Sequence, residues 1–328
     1  MAELKDVYNR RIDYARISIT DRCNLRCAYC ADWKSFTLKD MAKILRFEEI
    51  EKIILILLKL GISHIRLTGG EPLLRRGVVD LVRRISRFDG LKDFSMTTNG
   101  VYLRECAMPL KDAGLKRVNI SLDTLDRKKF MEISTADLLG DVRRGIDAAI
   151  DAGLEPVKVN TVIIKGFNDD EIEDFTRLAI EKPIHWRFIE FMPMGRNSYW
   201  SPERFMPISA IKAKVFSLGK PLQVNIQGCG PSTDYRIGSS EGSVGFISPI
   251  EKGFCEACNR IRITADGFLR GCLHSDAHTD IKSLLREGVP EEKIEEVIRT
   301  SIYKKPKSHD IRARQGSVTN EPMAGIGG

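Results

Sequence analysis

Three cysteines stand at Cys23, Cys27 and Cys30 in CNLRCAYC, and three more at Cys255, Cys258 and Cys272 in FCEACNRIRITADGFLRGC. Taken alone, the first spacing puts its thiols on one helix face, and free cysteine is among the most buried residue types. The run follows directly on a strand pattern, however, and Asn24, Arg26 and Tyr29 between the thiols are polar or bulky. A loop closing on a metal suits these residues better than a helix with a small apolar stripe. Three thiolates are one short of the four that usually hold an iron–sulfur cluster, so such a set leaves one iron open to another ligand. Catalytic zinc keeps an open position by the same logic. In the second trio, CxxC followed by a further Cys is strong metal spacing; a structural zinc with His274 or His278 as fourth ligand is the competing account.

Other residues could serve such a centre. Gly69-Gly70-Glu71-Pro72 closes a strand pattern, where two glycines permit close approach to the backbone and Pro72 biases Glu71 toward an extended conformation. The plain alternative is an ordinary strand-to-helix turn. Lys158 sits between Val157 and Val159, and a buried ammonium needs an anionic partner such as a triphosphate. Arg260 and Arg262 alternate with Ile261 and Ile263, so both guanidinium groups face one way, and Arg suits bidentate phosphate binding. For any single Arg, a surface salt bridge is an equal reading.

The elements that must hold these residues alternate regularly. Segments 16–20, 64–68, 93–98, 117–122, 157–164 and 185–191 read as strands, and 47–60, 78–88, 103–113, 139–152 and 170–180 as helices, several ended by Gly in KLGI and DAGL. About six parallel βα units result, two short of a full barrel. No phosphate-binding glycine fingerprint of a doubly wound sheet follows an early strand. The predicted fold is therefore α/β, an incomplete (β/α)6 TIM-type barrel over residues 1–205. Thr97, Ser121, Lys158 and Met192 fall at or near strand C-terminal ends, where a barrel builds its active site. Residues 206–313 read as a small antiparallel or irregular extension with a late helix over 291–303 and the second trio. The tail 314–328, with its terminal Gly327-Gly328, reads as flexible.

The chain has 328 residues, is 42% hydrophobic and 30% charged, and carries a net charge of +7. That is a soluble globular composition with a modest basic excess that a polyanionic ligand could use. No aromatic and basic interleaving points to nucleic acid. The longest apolar run, IILILL, is too short to span a bilayer, and the N-terminus has no apolar core of a signal peptide. A cytoplasmic location follows, and in a reducing compartment clustered thiols suggest metal rather than disulfides. Cys106 and Cys229 read as packing, His64, His185 and His309 carry no ligand spacing, and Arg75-Arg76, Arg83-Arg84 and Lys304-Lys305 read as solvated surface.

C-x3-C-x2-C after a first barrel strand, with an aromatic before the third Cys, resembles the radical S-adenosylmethionine (SAM) enzymes. Over nearly the whole chain, ITDRCNLRCAYC, IRLTGGEPLLRR, TTNG, NISLD, PVKVNTVIIKGFND, RFIEFMP, CNRIRIT and the terminal GG resemble the GTP 3′,8-cyclase family in order and spacing. The resemblance implies two [4Fe-4S] clusters, one at each end of the barrel, on Cys23, Cys27 and Cys30 and on Cys255, Cys258 and Cys272. It implies SAM contacts at Tyr29, Gly70, Ser121 and Met192, and GTP contacts at Arg16, Arg66, Thr97, Lys158, Arg260 and Arg262, with Gly327 and Gly328 reaching into the site. It also implies that no side chain carries the radical chemistry, which belongs to cluster and SAM. The partners it brings are GTP, an external electron donor and a downstream cyclic pyranopterin monophosphate synthase, in molybdenum cofactor biosynthesis; a homodimer is one assembly allowed for.

Two departures stand out. Many relatives have Met-Pro and a longer loop after the third Cys, where this chain has Ala31-Asp32 and WKSFTLKDMAKIL, and ISTADLLGD lacks a Gly-Arg pair often found there. A radical SAM peptide maturase is one rival, although such enzymes usually have more C-terminal cysteines. An iron–sulfur sensor or zinc-stabilised binding protein is another, for which GGEP and the barrel rhythm would be unnecessary.

Overall fold

The computed structural model describes residues 3–195, 199–228, 230–309, 311 and 319–327. Its first strands are β1 (Tyr14–Ser18), β2 (His64–Thr68), β3 (Asp93–Thr98), β4 (Arg117–Ser121), β5 (Val157–Ile163) and β6 (Ile184–Glu190). They pair in parallel in sequence order. The connections carry α1 (Phe47–Lys59), α2 (Val78–Ile85), α3 (Leu103–Asp112), α4 (Arg127–Ser134), α5 (Leu139–Asp151) and α6 (Ile172–Glu181). α1 shows why: Ile50, Ile53, Ile54 and Leu57 form one buried stripe, and Gly61, at φ +92°, ends the run in the left-handed conformation that favours glycine. The Glu49 carboxylate caps the other end by accepting the Arg46 backbone N–H at 2.7 Å.

Residues after 205 add α7 (Ile208–Phe216), then β7 (Pro221–Val224), β8 (Thr233–Ile237), β9 (Ser243–Ile247), β10 (Arg260–Ile263), β11 (Phe268–Arg270) and β12 (Thr279–Asp280). α8 (Ile281–Arg286) and α9 (Glu291–Tyr303) follow. All the strands join one sheet, ordered β12-β11-β10-β1-β2-β3-β4-β5-β6-β9-β8-β7. β10 lies parallel to β1 and β9 parallel to β6, so each edge of the six-strand barrel gains a parallel strand from the extension. The antiparallel pairs β10–β11, β11–β12, β7–β8 and β8–β9 agree with the sequence reading; the parallel placement of β9 and β10 does not. Strand direction at an edge depends on the route of the connecting chain, which side-chain alternation does not encode. Among the described residues β9 and β10 do not pair, and the barrel stays open between them.

Alternation in β1 to β6 divides the protein into two environments. Ala15, Ile17, Ile65, Leu67, Val118, Ile120 and Val159 face outward into the apolar layer beneath the helices. Arg16, Arg66, Ser121 and Asn160 face inward and line a cavity. The apolar core is thus the shell between sheet and helices, and the barrel interior is polar.

Candidate active site

The interior cavity has a volume of about 250 Å³ and is lined by residues from both halves of the chain. It brings together Arg16, Tyr29, Arg66, Thr97, Ser121, Met192, Cys255, Cys258, Arg260, Arg262 and Cys272 of the residues singled out in the sequence. Cys23, Cys27, Cys30, Gly70 and Lys158 lie outside its lining, and Gly328 lies outside the described residues.

Pairing register sets the charge pattern. Arg16 lies opposite Arg262 on one side and Arg66 on the other, so three guanidinium groups occupy adjacent strands. Burial, with Arg16 close by, holds Arg66 and Arg262 well below the ordinary arginine range. Farther round, Arg187 is buried, lowered to about 10 by burial and then by Arg117 and Arg16, and donates to Asn119 Oδ1 at 2.6 Å. Lys158 is lowered to about 6 by burial and then by Arg187 and Arg117. In place of an anion, its Nζ donates to the carbonyl of Gln227. Gly228 closes over the same place: a Cβ there would come within 3.0 Å of Lys158 Nζ. This interior has too few carboxylates for its cations, a balance suited to a polyanion.

The first thiol trio follows β1 directly. Backbone bonds from Arg26 to Ser134 and from Ala28 to Ile133 dock its loop on the end of α4. Burial raises all three thiols, Cys30 to about 12; Cys23 adds to the rise at both Cys27 and Cys30. A cationic metal centre inverts that preference, because a coordinated thiol is deprotonated. The loop after Cys30 is held at several points. Trp33 Nε1 donates to the Cys27 carbonyl at 2.9 Å, the Lys39 N–H donates to Asp21 at 2.6 Å, and Lys39 pairs with Asp266 at 2.7 Å. Tyr29 donates to Asp123 Oδ2 at 2.6 Å, and Asp123 also accepts the Val162 N–H while burial raises it to about 6.

Glycines 69 and 70 serve a close approach of backbone to backbone. A Cβ on Gly69 would lie 2.7 Å from the Thr20 carbonyl oxygen, and one on Gly70 would overlap Arg22. The Gly70 N–H donates to Thr20 O at 2.7 Å, which ties this turn to the segment between β1 and Cys23. Glu71 is fully buried and accepts from the Leu73 N–H, the Thr98 hydroxyl and the Asn99 N–H at 2.9, 2.8 and 2.6 Å. Burial outweighs these donors and raises it to about 7. GGEP therefore welds the end of β2 to the Cys loop and to the end of β3.

Cys258 precedes β10 and Cys272 follows β11, which places the second trio beyond the N-terminal end of the parallel strands, opposite the first. Arg10 anchors it by donating to the Cys255 carbonyl at 2.8 Å. Burial would raise Cys258, but Arg260 and Lys305 overcome it and lower the thiol to about 7. Of the two histidines weighed as zinc ligands, His274 is buried and faces the cavity, whereas His278 is exposed with Nδ1 on the Asp276 carbonyl. Among the described residues no three His, Cys, Asp or Glu side chains are set for a single metal ion. Thiolates that share a polynuclear cluster stand farther apart than those on one ion.

The tail corrects the expectation of disorder for residues 319–327. They include a short helix, Met323–Ile326, with Ala324, Gly325 and Ile326 buried. The Ala324 N–H reaches Cys30, and Arg262 Nη1 donates to the Gly327 carbonyl at 2.6 Å. Small residues make this fit: a Cβ on Gly327 would approach Ser18 Cβ to 2.6 Å. Cys229 lies outside the described residues.

A GTP 3′,8-cyclase of Thermodesulfovibrio yellowstonii is 48% identical over 327 residues, covering 99% of this chain and all of the relative. One from Moorella thermoacetica is 46% identical over the same coverage. The chain belongs to the GTP 3′,8-cyclase family. The model of the Radical SAM superfamily matches residues 17–179, and that of Molybdenum Cofactor Synthesis C matches 184–311. Streptococcus suis SuiB, 13% identical, shares the fold with a TM-score of 0.61 over 93% of this chain and 69% of its own. Radical SAM family membership brings a [4Fe-4S] cluster and SAM, and three clustered thiols with an adjoining cavity fit them. Among the described residues no helix is long and apolar enough to cross a membrane.

Within this cyclase fold, several site residues had escaped the sequence reading. Arg187 in HWRFIEF carries the signal that singled out Lys158, a charge inside a strand pattern. Asp123 lies within NISLD without a role assigned to it. Lys305 and Arg75 are not solvated surface: Lys305 is buried, and Arg75 donates to Leu45 O at 2.6 Å beneath the ring of Phe47. A basic pair just past a helical turn gives no sign of burial, so nothing in the sequence flagged them.

Proposed function

We propose that the chain converts GTP to (8S)-3′,8-cyclo-7,8-dihydroguanosine 5′-triphosphate, with the first cluster on Cys23, Cys27 and Cys30 and a second [4Fe-4S] cluster on Cys255, Cys258 and Cys272. The observation that carries this reading is one cation-lined cavity reaching from Tyr29 to the second thiol trio. When bound, cluster and SAM would supply a 5′-deoxyadenosyl radical able to take the hydrogen at C3′ of the ribose; closure of C3′ onto C8 of guanine would then require one electron, from the external reductant, and one proton.

The chain's own residues bind and orient. Gly70 offers a carbonyl to the SAM amino group, with Tyr29, Ser121 and Met192 around the same ligand. Arg16, Arg66, Lys158, Arg260 and Arg262 neutralise the triphosphate, Thr97 adds a hydroxyl, and Cys255, Cys258 and Cys272 would hold the cluster that supplies an open iron for the guanine. Gly327 packs against Ser18, where a Cβ would not fit, and Gly328, outside the described residues, would extend the tail toward the substrate. An external reductant delivers the electron, and a downstream cyclic pyranopterin monophosphate synthase consumes the product. Anaerobic reconstitution with GTP and SAM, followed by mass spectrometry, tests the reading. SAM cleavage without a cyclised nucleotide would favour a radical SAM enzyme of another substrate.

A further inference from the structure

Lys305, just after α9, is 3% exposed. Its Nζ donates to the carbonyl of Arg260 at 2.9 Å and to that of Gly271. Its aliphatic stem lies along Gly271, where a Cβ would meet Lys305 Cγ at 3.5 Å. Among the described residues no carboxylate lies within ion-pair distance of it, although a buried ammonium without a counter-charge is costly. The two carbonyls come from residues two beyond Cys258 and one before Cys272, so the ammonium is held between the two chain segments that carry these thiols.

We infer that Lys305 is the fixed counter-charge of the second iron–sulfur site, a positioning residue that clamps the Cys258 and Cys272 strands and raises the reduction potential there. This rests on the second cluster proposed above. The physical ground is that three thiolates make such a site anionic and reduction adds another negative charge. A cation held against it in a buried, low-dielectric place favours the reduced state. Arg260, also near Cys258, lines the cavity as Lys305 does; what distinguishes Lys305 is that its ammonium is fixed by carbonyls on both chain segments that carry the thiols.

The test uses the full chain with Cys23, Cys27 and Cys30 changed to Ala, reconstituted anaerobically and titrated electrochemically with electron paramagnetic resonance detection. If this parent retains no iron–sulfur signal, the second-cluster reading itself fails. With the signal present, Lys305→Gln, which keeps a donor but drops the charge, should reduce the reduced-to-oxidised ratio at fixed potential about tenfold, about 59 mV downward for one electron. Lys305→Arg should restore most of that shift. Equal potentials in parent and Lys305→Gln, or equal shifts in both variants, overturn the proposal. So does unfolding of the iron-free Lys305→Gln chain, seen by circular dichroism, because that assigns the residue to the fold.

Discussion

Arg262 and Gly327 lie 65 residues apart in the chain, yet the Arg262 guanidinium donates to the Gly327 carbonyl at 2.6 Å. A residue from the C-terminal tail thereby occupies one of the three adjacent arginines of the cavity. Gly327→Ala would force a Cβ against Ser18 at a φ of +88°. We expect product formation to fall at least tenfold while iron content and melting temperature stay near the parent's. An alanine variant of parental activity would show that the tail does not organise Arg262.

Lys158 gives a proton-linkage prediction. In the substrate-free protein its pKa is lowered to about 6, so at pH 8 it is mostly neutral. A bound triphosphate raises that value, and binding at pH 8 should take up as much as about one proton and weaken as pH rises. Calorimetric titration with GTP in buffers of different ionisation enthalpy measures the uptake. Lys158→Met should abolish it, and buffer-independent heats in the parent would contradict the assignment.

Gly70→Ala addresses the weld between β2 and the Cys loop. The new methyl overlaps Arg22, and relief of such overpacking typically costs ~1–3 kcal/mol. Thermal unfolding should show the loss, and iron retention after reconstitution should drop because Cys23 is the neighbour of Arg22. Parental stability and iron content together would mean that the backbone approach is not tight.

Cys255→Ala separates the two thiol trios, which lie at opposite ends of the parallel strands. The variant should still cleave SAM but yield no cyclised GTP. Loss of all SAM cleavage in a folded variant would contradict separate roles for the two sites.

Glu49 makes the stability pH-dependent. Burial would raise its pKa, but Arg286 and the Arg46 backbone N–H lower it to about 2. A depressed carboxyl contributes stability that is complete above about 4.5 and is lost as pH falls toward 2. The full contribution is on the order of 3 kcal/mol. Glu49→Gln should lose that increment at neutral pH and show a flatter acid limb in denaturant titrations. An unchanged acid limb would remove Glu49 from the account.

Several residues of the candidate site carried local signals. The thiol spacings, GGEP, Lys158 and the Arg260–Arg262 alternation are short-range patterns, and β1 to β6 repeat one simple unit. What escaped depends on distant partners. β9 and β10 reveal their parallel pairing only when the whole sheet is assembled. Lys305 becomes buried only because Arg260 and Gly271 lie over it, and the tail becomes ordered between Cys30 and Arg262. Arg187 carries the same local signal as Lys158, a charge inside a strand pattern.

The pairing of β1 with β10 sets a timetable for synthesis. Arg16 is among the first residues to leave the ribosome, and its neighbour Arg262 is among the last quarter of the chain. At bacterial to eukaryotic elongation rates, roughly 5–20 residues per second, one edge of β1 waits on the order of ten to fifty seconds for its partner. During that wait the edge is open to pairing with other chains. Nascent chains stalled before residue 260 should therefore be the species that chaperones hold most and that aggregates soonest.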